Sequence, residues 1–150
     1  MAQSLSKVFI HVIFSTKNRE PWLDSDIRPA THAYLATVCR DLEAEAYRIG
    51  GTADHIHIAA TLPRALTQSD LVQKLKTSST HWLKRQDKKY AGFAWQRGYG
   101  VFSISKSQLP ALVKYIAEQE EHHKTQTFQD EFRTILKRYE VAYDETYVWD

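Results

Sequence analysis

Hydrophobic segments of period two and period 3.6 alternate along the chain in the order β-α-β-β-α-β-β and give way to purely helical patterns after about residue 107. That order predicts an α+β fold, a ferredoxin-like split β-α-β sandwich with an antiparallel sheet, helices on one face and a C-terminal helical addition. Length agrees with a single domain spanning residues 1–150, with 107–150 as a helical arm. At 43% hydrophobic and 25% charged residues, with only 5 Gly and 4 Pro, the chain is neither fibrous nor disordered. A lone cysteine, Cys39, excludes an internal disulfide and a Cys-based zinc finger, and it predicts a reducing, cytoplasmic setting.

The first strand is read over residues 6–16 (SKVFIHVIFST), with Val8, Ile10, Val12 and Phe14 on one face and Phe9, His11 and Ile13 on the other. This apolar stretch is broken by His11 and is too short to span a membrane. After Pro21, Ser25 or Asp26 is placed to cap a helix running to about Ala44, with Tyr34, Leu35, Val38 and Leu42 at helical spacing. Ala46 to Ile49 read as a short strand, and Gly50-Gly51 as the turn after it. ADHIHIAATL (53–62) is a strand by alternation. Thr67 or Ser69 caps a second helix to about Lys88, whose apolar stripe is Leu71, Leu75, Trp82 and Leu83. Residues 93–105 (FAWQRGYGVFSIS) read as a hairpin turning at Arg97-Gly98. Helices are expected over about 108–124, with Pro110 in the first turn, and over about 128–139. The aromatic end, VAYDETYVWD, is expected to pack on the body or on a partner subunit.

The net charge of +2 is too mild to diagnose a nucleic-acid binder, but its distribution is uneven. Basic and acidic residues number six and six over 1–50, eight and three over 51–100, and six and nine over 101–150. The basic middle third holds Lys74, Lys76, Lys84, Arg85, Lys88 and Lys89, which are placed to neutralise phosphates or, alternatively, to form a solvated helix face.

His55-Ile56-His57 is the sharpest local motif. In a strand both imidazoles leave the same face, roughly 6 to 7 Å apart, while Ile56 and Ile58 turn to the core. Two such imidazoles can converge on one metal ion, which needs further ligands; oxygen donors from Asp or Gln would suit Mg²⁺ or Mn²⁺. The plain alternative is a solvated histidine pair. A second cluster, Tyr115-Ile116-Ala117-Glu118-Gln119, sits on a predicted helix, where Tyr115 and Gln119 share a face. A phenol becomes a covalent nucleophile when a metal or base helps to remove its proton; taken alone, a helical tyrosine is usually a packing residue.

GGTADHIHIAA, YIAEQEEHH, HVIFSTKNREPW, WQRGYGVFSIS and YDETYVWD together resemble the single-tyrosine HUH transposases of small insertion sequences, the IS200-like family, across essentially the whole chain. The resemblance implies that His55 and His57 bind a divalent metal, Mg²⁺ or Mn²⁺, and that Gln119 supplies a third ligand. It implies that Tyr115 attacks a phosphodiester of single-stranded DNA, leaving a 5′-phosphotyrosine and a free 3′-hydroxyl. It further implies recognition of DNA hairpins near element ends, and a homodimer in which one subunit's tyrosine helix can complete the other's site. By the same analogy Trp82, Trp95, Tyr99 or Phe102 could stack on bases. His122 and His123 could stand in for Gln119, His11 is read as a structural histidine, and Asp54 is read as orienting a turn or a neighbouring group. Glu118, Glu120 and Glu121 read as a solvated face.

Two other readings stand beside this one. A noncatalytic single-stranded nucleic-acid-binding module is possible because RRM-like sandwiches share this element order, although those domains read bases with aromatics where this strand has HIHI. A host-retained relative that processes palindromic repeats would carry the same residues. A small-nucleotide phosphoesterase of the two-histidine type is disfavoured, since two separated His-x-Thr/Ser motifs are absent.

Overall fold

A computed structural model describes residues 2–150. Four strands, β1 (Phe9–Ser15), β2 (Ala46–Gly51), β3 (His55–Thr61) and β4 (Gly100–Ile104), form an antiparallel sheet in the order β2-β3-β1-β4. This is the order of a split β-α-β sandwich, as the sequence predicts. The β-branched and aromatic content of β1 suits it to the centre of the sheet, paired on both sides and almost fully buried.

On one face of the sheet α1 (Arg28–Asp41) and α2 (Gln68–Gln86) cover Ile10, Val12, Phe14, Ile56, Ile58 and Ala60. Thr67 caps α2 by accepting from the Asp70 amide at 3.0 Å. The start of α1 differs from expectation. Neither Ser25 nor Asp26 caps it; Asp24 Oδ1 instead accepts from the Asp26 and Ile27 amides, holding the preceding turn, and Pro29 occupies the first helical turn.

On the opposite face α5 (Phe128–Arg138) packs Phe128, Phe132, Ile135 and Leu136 on Ile13 and Phe102. The C-terminal Trp149 lies beside Phe128 and Phe132 and under the Arg19 and Arg133 guanidiniums, so the tail packs on the body of its own chain. Helix α3 (Leu109–Ala117) crosses the β2-β3 side of the sheet.

Three local expectations are corrected. The Gly50-Gly51 pair is not a turn; both residues end β2, opposite His57 and Ile56, and the turn is Thr52 to Asp54. A side chain at Gly50 would strike the Ile116 carbonyl oxygen at 2.5 Å, so this glycine is what lets α3 lie against the sheet. Gly51 has φ +153°, and a side chain there would meet the His55 carbonyl oxygen. Residues 93–105 do not form a hairpin, because Trp95 bridges to Thr16 and β4 pairs with β1. The helix expected over 108–124 breaks at Glu118 (φ −99°, ψ 17°), giving α3 and a short α4 (Gln119–His122).

Candidate metal and nucleophile site

The alternation of β3 sends His55 and His57 to the face opposite Ile56 and Ile58, but neither imidazole meets solvent. Both are fully buried beneath α3, α4 and α5. Tyr115 on α3, Gln119 on α4 and Glu131 on α5 converge above them. The Glu131 carboxylate is the hub. Its Oε1 lies 2.9 Å from His57 Nε2 and 3.0 Å from His123 Nε2, while its Oε2 accepts from Gln119 Nε2 at 2.8 Å and from the Tyr115 hydroxyl. Four contacts use the full accepting capacity of a carboxylate. His55 Nε2 is 2.7 Å from Gln119 Oε1 and 3.6 Å from Glu131 Oε1.

Protonation follows from the surroundings. Burial opposes ionisation of Glu131, but hydrogen bonds from His123 and His57 and the nearby imidazoles outweigh it and hold the carboxyl well below its usual range. Burial pushes His57 down to about 4 despite Glu131, and pushes His11 well below its ordinary value, with His57 adding to the effect. For His123 the Glu131 carboxylate wins over burial and raises the imidazole. Burial and then the Glu131 charge drive the Tyr115 phenol upward, so in this arrangement the tyrosine keeps its proton. A neutral His57 that donates from Nε2 to Glu131 accepts at Nδ1 from His11 Nε2, 2.7 Å away. His11 is therefore a buried partner of the site, not a free ligand.

Asp54 Oδ1 lies 2.8 Å from His55 Nδ1 and accepts from Thr52 at 3.0 Å, which fixes the His55 ring and leaves Nε2 turned inward. The nearby His55 holds the Asp54 carboxyl below its ordinary value against the effect of burial. With Nδ1 donating to Asp54, Nε2 faces the Gln119 carbonyl oxygen 2.7 Å away, a contact that needs a proton or a metal ion between the two atoms. Rotating the Gln119 amide only moves the conflict, since its oxygen would then face Glu131 at the distance now held by nitrogen. Two acceptors this close attract only when positive charge lies between them. The ligand atoms of His55, His57 and Glu131 lie within 4.8 Å of one another, and this nitrogen-and-oxygen donor set fits a divalent cation.

Each residue singled out in the sequence now has a place. His55, His57, Gln119 and Tyr115 come together within one chain, the Tyr115 ring lying 5.9 Å from that of His57. His122 stacks on the Tyr115 ring at 4.7 Å. Sequence reasoning missed Glu131, although it left a signal: an acid on the apolar stripe Phe128, Phe132, Ile135 of an amphipathic helix. Lys74, Lys84 and Arg85 on α2 are exposed, as is Lys88 in the turn that follows, the helix ending at Gln86 and not at Lys88. Lys76 is turned inward, donating to the carbonyls of Gln96, Arg97 and Gly98 at 2.8, 3.3 and 2.6 Å, and Lys89 pairs with Asp24 at 3.3 Å. Trp95 and Phe102 are core residues, and Trp82 stacks on Tyr34 at 4.9 Å.

None of the helices among the described residues is long and apolar enough to cross a membrane. No curated protein matches the chain. Two of the solved structures that share its fold are as follows. One is a crystal structure from Deinococcus radiodurans described as a transposase, 20% identical over 79% of this chain and 98% of that one, with a TM-score of 0.61. The other is a REP-associated tyrosine transposase bound to a REP hairpin, 19% identical over 82% of this chain and 73% of that one, with a TM-score of 0.60. Residues 4–119 match the sequence family described as Transposase IS200 like, a span that holds β1 to α3 and ends at Gln119. The chain belongs to the IS200-like transposase family.

Proposed function

We propose that the protein is a metal-dependent transposase that cuts and rejoins single-stranded DNA at hairpin-marked ends, with Tyr115 as nucleophile. The observation that carries this reading is the meeting of the Tyr115 hydroxyl, the Gln119 amide and the His57 imidazole on the buried Glu131 carboxylate, with His55 on the same Gln119 side chain. His55, His57 and Gln119 would hold the cation, Mg²⁺ or Mn²⁺, and Glu131 would add a fourth donor. When bound there, such a cation would supply charge to polarise the scissile phosphate and to offset the Glu131 charge that disfavours the phenolate.

The tyrosine oxygen attacks phosphorus, the bond to the 3′-oxygen breaks, and the leaving oxygen takes a proton to become a 3′-hydroxyl. The proton lost by the phenol balances the one gained by the 3′-oxygen, with solvent as the relay, while Glu131, kept ionised by His57 and His123, orients the Tyr115 hydroxyl. Because the 5′-phosphotyrosine preserves a phosphoester, a 3′-hydroxyl can reseal it without ATP. His11 and Asp54 are positioning residues. For metal binding His57 must present its Nε2 lone pair, so its proton moves to Nδ1 and is donated to His11. Tyr115 reaches the histidines of its own chain, and a homodimer would join two such sites so that two strand ends can be exchanged. The exposed Lys74, Lys84, Arg85 and Lys88 offer a phosphate-binding surface.

The test is a denaturing gel with single-stranded, hairpin-bearing oligonucleotides, in Mg²⁺ or EDTA, comparing the parent with Tyr115→Phe. A metal-dependent covalent adduct that is absent in the variant supports the reading. Binding without an adduct on any strand would move the assignment to a noncatalytic binding module.

A further inference from the structure

A cavity of about 460 Å³ lies between α3 and α5, with Tyr115 in its wall and His55 outside it. Of its lining residues Glu131 and His11 are buried, Tyr115 and Leu112 half-buried, and Arg138 and Tyr139 exposed, which puts the carboxylate at the inner end and the last two at the rim. The HUH pair and Gln119 take no part in its wall, so it is a compartment next to the metal site and not the site itself. Its size falls within the roughly 300–1,000 Å³ of small-molecule sites.

The lining is graded. The inner end carries the Glu131 carboxylate, which repels a phosphate. The rim carries the exposed Arg138, whose charge reaches both Tyr115 and His11 across the cavity. Between them Ile104, Ala111, Leu112 and Ile135 make the wall mostly apolar, with Gln108, Gln126 and Thr134 adding uncharged polar groups. Tyr139 is held in place, its ring 4.8 Å from Phe102 and its hydroxyl donating to the Ser103 carbonyl at 2.8 Å, so an aromatic wall exists before any ligand arrives. A flat apolar face inside and an anion at the mouth describe a nucleotide.

We infer that this cavity receives one unpaired nucleotide flanking the scissile phosphate, its base between Leu112 and Ile135 and its distal phosphate on Arg138. The inference rests on the strand-cleavage reading above, because only a strand bound at Tyr115 delivers a neighbouring nucleotide there. Ile135, Arg138 and Tyr139 all lie beyond residue 119, where the family match ends, so this pocket makes the segment after Gln119 a determinant of cleavage-site choice. Stacking of a base on an aromatic or apolar wall is tolerant of sequence, whereas edge contacts discriminate.

The experiment uses the full chain and hairpin oligonucleotides carrying a single abasic residue at successive positions around the cleavage point. In the parent, one abasic position next to the scissile phosphate is expected to weaken binding and adduct formation about tenfold or more. Ala111→Trp, which fills the cavity from its α3 wall, is expected to weaken the intact oligonucleotide similarly and to be insensitive to that abasic position. Arg138→Ala is expected to lower the salt slope of binding by about one without abolishing the adduct. Circular dichroism and thermal unfolding report whether each variant is folded; where Ala111→Trp is not, Leu112→Ala, which widens the cavity, carries the same comparison. Equal cleavage of all abasic strands, or additive losses in the variant and the abasic strand, overturns the inference while leaving Tyr115 chemistry intact. Failure of the parent to form an adduct on any strand is the distinct outcome that removes the reading beneath it.

Discussion

On one face of the sheet Ile10, Val12, Phe14, Ile56 and Ile58 are sealed under α1 and α2 in a cluster of aliphatic and aromatic side chains. On the other, their alternate neighbours His11, Ile13, His55 and His57 lie under α3 and α5, and three of those four positions carry imidazoles, with His57 hydrogen-bonded to a buried carboxylate. The same two strands supply both. Burial on the first face gains the full hydrophobic contribution, about 1.5–3 kcal/mol for a Leu or Ile side chain. Burial on the second removes polar groups from water and leaves a cluster that is satisfied only through Glu131 and a positive charge near His55. The comparison teaches that the α1/α2 face provides stability, whereas the α3/α5 face holds a preorganised polar site that this stability supports.

The largest expected effect separates chemistry from folding. Tyr115→Phe keeps the ring against His57 and His122 while removing the attacking oxygen, so adduct formation should fall by roughly 10⁴-fold or more with little change in unfolding midpoint. Comparable adduct yield in this variant would end the assignment of the nucleophile. Next comes the aliphatic face: Ile58→Ala should cost about 2–5 kcal/mol in urea unfolding, and a much smaller loss would mean that this face is not the structural one.

Metal linkage sharpens the contrast further. Mn²⁺ at about one hundred times its dissociation constant should stabilise the parent by about 2.7 kcal/mol, with the gain lost in His57→Ala and retained in Tyr115→Phe. A gain that survives His57→Ala would place the ion elsewhere.

The acid side gives a smaller, directional effect. Burial holds His57 at about 4 in the folded, metal-free protein, below its unfolded value of about 6.5. Its neutral form therefore contributes stability that is complete above about pH 6.5 and is lost as pH falls toward 4. His11 acts in the same direction, and Glu131 extends the loss to lower pH. Unfolding measured in EDTA against pH should show this slope, and His57→Asn should flatten it; an unchanged slope would move the acid sensitivity to other groups. The smallest effect concerns the exposed basic helix: Lys84→Ala or Arg85→Ala should each reduce the salt dependence of DNA binding by about one unit, and no change would make it a solvated face.

Much of this molecule is legible along the chain. The period-two pattern of β1 and β3 names both faces of the sheet, Thr67 marks the start of α2, and the pairing of Tyr115 with Gln119 points to a shared surface. What misleads is local glycine and helix grammar. Gly50 looks like a turn residue because its missing side chain is usually used for backbone freedom, but here the missing side chain makes room for α3. The 93–105 segment alternates like a hairpin, yet each limb finds a better partner in the first strand and its extension. The continuous helical pattern after Gln108 hides a break at Glu118 that turns Gln119 toward His55.

Sequence alone determined the split β-α-β architecture and the chemical identity of the histidine pair and the tyrosine, since these depend on periodicity and on functional groups that neighbouring residues carry. The tertiary structure decided that Glu131 joins them. The contact between Glu131 and His57 spans 74 positions, and nothing in either local pattern encodes it. It arises because Phe128, Phe132 and Ile135 bury the apolar stripe of α5 on Ile13 and Phe102, and that packing carries an acid on the same stripe into the one place in the sheet where imidazoles can receive it.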